Sequence, residues 1–153
     1  MLKTSAMAVC AAALLASPAL AQDDFSDVLK ARQGQFRIMA LNLGILGGMA
    51  KGEVAYDTES AQAAADTLVA VSMIQQGPHW PEGSDEMAID GTRALPAIWE
   101  NFDDFVTKWE GFGTAAANMQ EVAATGQEAL GPSLGQIGDA CKACHDDYRA
   151  SQN

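Results

Sequence analysis

Basic residues are scarce in this chain of 153 residues, in which 9 lysines and arginines stand against 20 aspartates and glutamates, for a formal net charge of −11. A surface of one negative sign repels phosphate, so this imbalance argues against nucleic acid and anionic membrane surfaces as partners. The sequence also lacks internal repeats, low-complexity tracts and the alternating pattern of half-buried strands. With 48% hydrophobic and 19% charged residues, it is expected to form a single globular domain.

Long apolar runs are missing except near the start of the chain. Lys3 precedes an apolar run over residues 6–16, and Ala19, Leu20 and Ala21 then match the A-x-A cleavage pattern of secretory signal peptides. The run is too short to span a bilayer as a stable helix. We therefore predict a signal peptide over residues 1–21, cleaved after Ala21, and an exported, periplasmic domain over residues 22–153.

Cysteine is rare as well, and of the three cysteines Cys10 lies in the predicted signal peptide. The other two, Cys141 and Cys144, form with His145 the C-x-x-C-H signature of c-type haem attachment. Positions i, i+3 and i+4 share one face of a helix, so both thiols can reach the two vinyl groups of one porphyrin edge while His145 faces the iron. This motif predicts one covalently bound haem c.

Two other interpretations of the motif have less support from the sequence. A zinc site needs four ligands, and beyond these three residues only His79 and carboxylates are available. A thioredoxin-like dithiol needs a strand before its helix and a βαβ context, and the sequence pattern offers neither. Covalent haem therefore remains the favoured interpretation.

Apolar residues recur at helical spacing in four segments of the predicted mature chain. The pattern predicts helices at about residues 25–50, 57–75, 96–126 and 130–148, with Asp57 as an N-cap and Pro132 in the first turns of the last helix. Four such helices indicate an all-α, antiparallel four-helix bundle, with residues 77–95 as a long crossover. Because the C-x-x-C-H motif continues the apolar stripe of the fourth helix, the haem is expected inside the bundle.

Whether a protein side chain occupies the second axial position of the iron distinguishes two possible functions. An electron carrier fills it with Met or His, whereas a gas-binding haem leaves it open. The candidates are Met39, Met49, Met73, Met87, Met119 and His79. Methionines on an apolar stripe serve more often as core side chains, and His79 lies in the crossover, where it is expected to be solvated.

Arg32 occupies the buried stripe of the first predicted helix, between Leu29 and Phe36. A guanidinium in that position needs an anion, because an unpaired buried charge is costly. A haem propionate would serve, bound in bidentate fashion. The alternative is that Arg32 extends along the helix to solvent at the end of the bundle.

The sequence resembles the class II c-type cytochromes, and among them the cytochromes c′. The resemblance covers essentially all of the predicted mature chain and rests on four segments: residues 141–149 (CKACHDDYR), 51–57 (KGEVAYD), 92–99 (TRALPAIW) and Arg32–Gln33–x–x–Phe36. It implies that Cys141 and Cys144 are the thioether cysteines. It further implies that His145 is the sole protein ligand of a five-coordinate, high-spin iron.

The resemblance also implies roles for residues around the haem. Arg32 and Gln33 match residues that contact the propionates, and Thr92 matches a segment that touches the haem edge. Arg149 matches a basic residue beside the proximal histidine, and one helical turn from His145 it is expected on the same side. Phe36 stands where low-spin relatives carry a ligating Met, and a phenyl ring cannot coordinate iron. It is therefore expected to crowd the distal pocket.

The family binds NO and CO and typically excludes O₂, which implies a gas-binding protein that also exchanges one electron with a redox partner protein and is not an enzyme. Family members are usually homodimers through their first two helices, which suits the small residues Gly44, Gly47 and Gly48. The alternative function is a six-coordinate, low-spin electron carrier with Met39 as distal ligand. A third, an exported helical interaction protein without cofactor, would require an accidental C-x-x-C-H.

Overall fold

The computed structural model of the chain describes residues 24–151, so the predicted signal peptide lies outside the described residues. This part of the chain is helical, and a single bridge between Ala94 and Arg149 is its one strand-like pairing. The helices are α1 (Ser26–Ala50), α2 (Thr58–Ser72), a 3₁₀ turn (Gly77–His79), α3 (Ala97–Glu100), α4 (Phe102–Val122) and α5 (Gln127–Tyr148). The all-α prediction is confirmed.

The four long helices form a bundle. Helix α1 packs against α2 and α5, and α4 packs against the same two helices, so that each long helix has two neighbours. Short turns join α1 to α2 and α4 to α5, whereas residues 73–96 carry the chain from α2 to α3. The predicted four-helix bundle with a long crossover is confirmed. None of the helices within residues 24–151 combines the length and apolarity needed to cross a membrane.

Helix α2 begins as predicted and ends earlier than predicted. The carboxylate of Asp57 accepts a hydrogen bond from the N–H of Ser60 at 2.8 Å, which makes Asp57 its N-cap. The helix ends at Ser72 and not at Gln75: the N–H groups of Met73 and Ile74 bond to carbonyls three residues back, and the carbonyl of Ser72 accepts from Trp109 Nε1 at 2.9 Å. The chain then turns, which brings Gln76 into the interior.

The third predicted helix is in fact two helices. Pro96 precedes the single turn of α3, and Asn101, at φ −142° and ψ 58°, interrupts the helix before α4 begins. The indole of Trp99 donates to the carbonyl of Trp80 at 2.9 Å and so ties α3 to the crossover. The prediction of one continuous helix from Pro96 to Gly126 was wrong: the helix breaks at Asn101, next to the turn that Trp99 ties to the crossover, and α4 ends at Val122.

The buried side chains divide into two clusters. The larger cluster reaches the cavity described below through Met39, Trp109 and Phe112, and we call the part of it away from the cavity the closed end. There, five large side chains from all four long helices are at most 1% exposed: Leu46, Leu68, Met119, Leu130 and Ile137. At the other end, which we call the open end, aromatic rings from the crossover, α4 and the end of α5 pack together: Trp80, Phe105 and Tyr148, with Ala94 and Ile98 beside them. The functional site lies at the open end.

Candidate functional site

A cavity of about 460 Å³ lies between α1, α4, α5 and the crossover. Cys141, Cys144 and His145 all line it from α5, as their helical spacing predicted. Its volume falls within the range of cofactor and small-molecule sites in proteins. The structure thus brings the three residues of the motif to one wall of one cavity.

The environment of the two thiols is unlike that of a redox dithiol. Both cysteines are free and partly buried, and burial raises the pKa of the Cys144 thiol to about 11 and raises that of Cys141 as well. Reactive dithiols have lowered thiol pKa values. Nor do any three His, Cys, Asp or Glu side chains within residues 24–151 converge as ligands of a metal ion, as a zinc site would require.

The α1 wall of the cavity is apolar from Phe36 to Leu43. Phe36, Met39 and Leu43 line it, and the ring of Phe36 meets that of Trp109 edge to face with centroids 6.1 Å apart. Phe36 remains 38% exposed, whereas Met39 is 7% exposed. Phe36 and Met39 therefore both border the cavity, and position alone does not choose between the two coordination states.

Arg32 is buried and lies without an anionic partner among the described residues. Its side chain is 2% exposed, so the alternative in which it extends to solvent was wrong. The guanidinium donates to Ser84 Oγ at 3.1 Å and to the Ser84 carbonyl at 3.0 Å, and it lies 4.6 Å from the centroid of the Trp80 ring. Burial lowers its pKa. Because the guanidinium borders the cavity and its partners are neutral, the site suits a carboxylate of a bound group.

Gln33 and Thr92 line the cavity where α1 meets the crossover. The side-chain amide of Gln33 donates to the carbonyl of Gly91 at 2.9 Å, and Thr92 Oγ1 accepts from the N–H of Ala94 at 3.1 Å. Both side chains thus hold the crossover in place at the rim of the cavity. Sequence reasoning named these two residues, and both line the same cavity as Arg32.

Arg149 and Arg93 meet at the end of α5. Arg149 follows the last residue of the helix rather than continuing it, yet its N–H donates to the carbonyl of His145 at 3.2 Å and it lines the cavity as expected. Arg93 also lines the cavity and was not predicted to do so. The signal was available, because Arg93 stands in the segment 92–99 that supported the resemblance. Burial first, and then the charges of Arg149 and Arg93, lower the pKa of His145.

A buried polar network that sequence reasoning missed supports the crossover wall. Gln35 donates to Gln76 Oε1 at 3.1 Å, and Trp80 Nε1 donates to the same oxygen at 3.0 Å. Such buried amides are recognised by their partners in space, which the sequence does not reveal. The network fixes Trp80 in the position where it stacks on Arg32.

A second network lies beneath the motif. The hydroxyl of Tyr148 donates to Asp104 Oδ2 at 2.6 Å, and Lys108 Nζ lies 3.3 Å from Asp104 and 3.1 Å from Asp147. Hydrogen bonding from Tyr148 is the main cause that lowers the pKa of Asp104, and burial is the main cause that raises the pKa of Tyr148. These contacts tie the end of α5 to α4.

Fold and site together define a helical bundle with a cavity suited to a covalently attached haem. Two free thiols and a histidine lie on one wall, apolar side chains lie on another, and a buried guanidinium is available for a carboxylate. These groups match the two thioethers, the axial ligand, the porphyrin faces and a propionate of haem c.

Comparison with known proteins gives the family. The family model described as Cytochrome C′ matches residues 27–149. A curated relative, cytochrome c-554 of Cereibacter sphaeroides, is 43% identical over 89% of this chain and 90% of its own length. Another, cytochrome c′ of the same organism, is 37% identical over 84% of this chain and 87% of its own length. The chain belongs to the cytochrome c′ family, and its cofactor is covalently attached haem c.

Solved structures agree with this assignment. Cytochrome c′ from Rhodobacter Spheriodes has a TM-score of 0.80 and 37% identity, covering 85% of this chain and 100% of that one. A nitric oxide complex of a cytochrome c prime mutant from Alcaligenes xylosoxidans has a TM-score of 0.70 and 28% identity, covering 82% and 95%. A further cytochrome c′, described as having ligand-controlled dimer dissociation, has a TM-score of 0.74 and 31% identity over 82% and 95%.

Proposed function

We propose that this protein is an exported mono-haem cytochrome c′ with a five-coordinate, high-spin iron that binds NO and CO. Cys141 and Cys144 form the two thioethers and His145 is the axial ligand. Haem c supplies an iron that binds diatomic gases and exchanges one electron, so the protein binds gas and transfers electrons rather than turning over a substrate. The observation that carries this proposal is the placement of all three residues on one wall of a cavity whose α1 wall is apolar from Phe36 to Leu43.

Arg32 and Gln33 orient the haem through its propionates in this proposal, with Thr92 at the haem edge and Arg149 beside His145. The buried guanidinium of Arg32 supports it, because that cation borders the cavity and its hydrogen bonds go to the neutral Ser84. A carboxylate placed there would offset the cost of burying the charge.

The wall formed by Phe36, Met39, Leu43 and Trp109 accounts for the choice of gas. Bound O₂ is polar and gains from a hydrogen-bond donor, whereas CO needs little. The N–H of Trp109, the polar group of these four side chains, is already donated to the carbonyl of Ser72 at 2.9 Å. A ligand on this side thus meets apolar surface, and the ring of Phe36 has to move to admit it. The structural relative solved as a nitric oxide complex supports the same chemistry.

The absorption spectrum of the ferrous protein, recorded before and after addition of NO or CO, tests this function. We expect a broad, high-spin Soret band that sharpens when gas is added. Sharp, low-spin bands that neither gas moves would show that a second protein ligand is present. Acid–acetone extraction tests the covalent linkage independently. Pigment that stays with the protein would exclude the alternative of a protein without cofactor.

The second candidate, a six-coordinate electron carrier, is favoured by one observation: Met39 borders the same cavity and is 7% exposed. Two substitutions separate the candidates. Phe36→Met is expected to convert the spectrum to low spin if position 36 faces the iron, because a thioether replaces a ring that cannot coordinate. Met39→Leu is expected to leave the spectrum unchanged, whereas in the six-coordinate carrier it would remove a ligand and produce high-spin bands.

Dimer formation through α1 belongs to the same proposal. Leu41 is 67% exposed, and Ile38 and Ile45 are exposed on the same helix, so α1 presents apolar surface to solvent. A relative described by its ligand-controlled dimer dissociation supports an assembly of this kind. We expect Leu41→Lys to shift the holoprotein from dimer to monomer in analytical ultracentrifugation, while a dimer that persists would place the interface elsewhere. Export to the periplasm and electron exchange with a redox partner protein complete the proposal.

A further inference from the structure

Lysines and arginines have different partners in this molecule. Within residues 24–151 every lysine forms an ion pair with a carboxylate, and no arginine does. Of these arginines, Arg32 is the buried residue described above, and Arg37 is exposed on α1. Arg93 and Arg149 remain, and both line an open cleft with His145 on the solvent side of the cavity. Carboxylates are in excess in this chain of net charge −11, yet these two neighbouring arginines form no ion pair with one.

The backbone brings these two arginines to neighbouring positions. Ala94 pairs with Arg149 in the isolated bridge, and the N–H of Ala150 donates to the carbonyl of Arg93 at 2.9 Å. The two paired segments thus carry Arg93 and Arg149 to the same cleft. Asp146 borders the cleft, but Lys142 pairs with it. One carboxylate therefore stands against Arg93, Arg149 and Lys142, and the cleft keeps a net positive charge among the described residues.

The cleft also offers unused hydrogen-bond donors. A guanidinium has five N–H donors, and the side chain of Arg93 uses one of them, on the carbonyl of Ala150 at 3.4 Å. No side-chain hydrogen bond of Arg149 or of the His145 ring occurs within residues 24–151. A histidine that ligates a metal through one ring nitrogen almost always donates the N–H of the other to an acceptor. With two cations beside it, the acceptor that the surroundings favour is an anion.

We propose that Arg93, Arg149 and His145, which we call the basic cleft, bind a small oxyanion. Its oxygens bridge the two guanidiniums, whose planar forks match oxyanion geometry, and one oxygen accepts the ring N–H of His145. The inference rests on the proposed function, because it takes His145 as the axial ligand. A bound anion increases the electron donation of His145 and stabilises the more positive, ferric state. The cleft thus lets the oxyanion concentration adjust the reduction potential.

The test titrates inorganic phosphate into the purified holoprotein at constant ionic strength, kept with sodium chloride. We expect the reduction potential to fall and to saturate, and the iron–histidine stretching frequency of the ferrous protein, measured by resonance Raman spectroscopy, to rise in parallel. Arg93→Gln or Arg149→Gln weakens phosphate binding about tenfold, because each removes charge-assisted hydrogen bonds. Arg37→Gln is the matched control, since it removes an exposed arginine outside the cleft and leaves the titration unchanged.

The outcomes separate this inference from the function it rests on. A potential that does not respond to phosphate, or that responds equally in Arg37→Gln and Arg93→Gln, would overturn the oxyanion site and leave the proposed coordination intact. A missing iron–histidine band would instead overturn the five-coordinate, high-spin state of the proposed function. In that event the potential titration of the two cleft variants still decides whether the cleft binds phosphate.

Discussion

The two ends of the bundle are built from different residues and serve different purposes. At the closed end, alanines let the helices approach closely: Ala61, Ala64 and Ala65 on α2 and Ala115 and Ala116 on α4 are buried between large aliphatic side chains. At the open end, aromatic rings from the crossover, α4 and α5 pack beside the cavity, as where Trp80 meets Phe105 at 4.8 Å between centroids. The difference teaches that one end stabilises the fold while the other leaves room for the cofactor.

This division has a physical basis. A filled core of aliphatic and alanine side chains gains both apolar burial and dispersion contacts. A cavity of about 460 Å³ forgoes those contacts until the cofactor fills it. We therefore expect substitutions at the closed end to change stability without changing the haem. Substitutions at the open end should change the haem first.

Removing both thiols gives the largest expected effect. Cys141→Ala together with Cys144→Ala leaves no sulfur for a thioether, so acid–acetone extraction should remove all of the haem from the variant and none from the wild type. Lys142→Ala is the matched control, because this exposed residue lies between the two cysteines and its ion pair with Asp146 is worth little. Pigment that resists extraction from the double variant would show that the cofactor is linked elsewhere.

Truncation at the closed end comes next. Leu68→Ala removes a fully buried side chain that does not line the cavity, and it should lower the free energy of unfolding by about 2–5 kcal/mol. The absorption spectrum should not change. Met73→Ala, at a position 69% exposed at the end of the same helix, serves as the control with an effect within about 0.5 kcal/mol. A Leu68→Ala variant with an altered haem spectrum would contradict the separation of the two ends.

The effect of replacing Arg32 on the free energy of unfolding is expected to have opposite signs in the apoprotein and the holoprotein. Arg32→Met removes a buried cation, which should be neutral or stabilising in apoprotein because its desolvation is no longer required. In the holoprotein the same change should destabilise by about 1–3 kcal/mol, because it removes the charged hydrogen bond that we propose between Arg32 and a propionate. Denaturant unfolding of both forms measures this, with Arg37→Met as control. Equal effects in the two forms would show that Arg32 serves the fold alone.

The smallest expected effect is a pH dependence of folding stability, caused by the contacts that link α5 to α4. The pKa of Asp104 is lowered from 3.8, so its contribution is present above that value and is lost as the pH falls through the lower, folded pKa. The pKa of Tyr148 is raised from 10.0, so stability should decline as the pH rises above 10. Urea unfolding at a series of pH values measures both the acid and the alkaline limb of the curve of stability against pH.

Two variants isolate these limbs. Asp104→Asn should flatten the acid limb, because the amide does not titrate, and Tyr148→Phe should flatten the alkaline limb. Tyr56→Phe is the control for the second: the Tyr56 hydroxyl donates to the carbonyl of Ala123 at the closed end, so the alkaline limb should persist when it is removed. An alkaline limb that survives in Tyr148→Phe would assign it to another group.

Much of the site was predictable because its residues are close in sequence. Cys141, Cys144 and His145 share a helix face by spacing alone, and the cavity confirms that they lie together. Arg32 was identified as buried because it interrupts an apolar stripe, and the structure confirms that burial. Arg93 was missed, because its approach to Arg149 depends on a bridge between residues 55 or more apart in the chain.

The sequence by itself determined the helical content, the four-helix bundle and the haem motif, since helical periodicity and i, i+3, i+4 spacing are local properties of the chain. Only the tertiary structure decided that α3 and α4 break at Asn101, that Ser84 and Trp80 receive the Arg32 guanidinium, and that Gln35 meets Gln76. The reason is that hydrogen bonds and cation–π contacts between distant segments depend on how the helices pack, which no local pattern encodes.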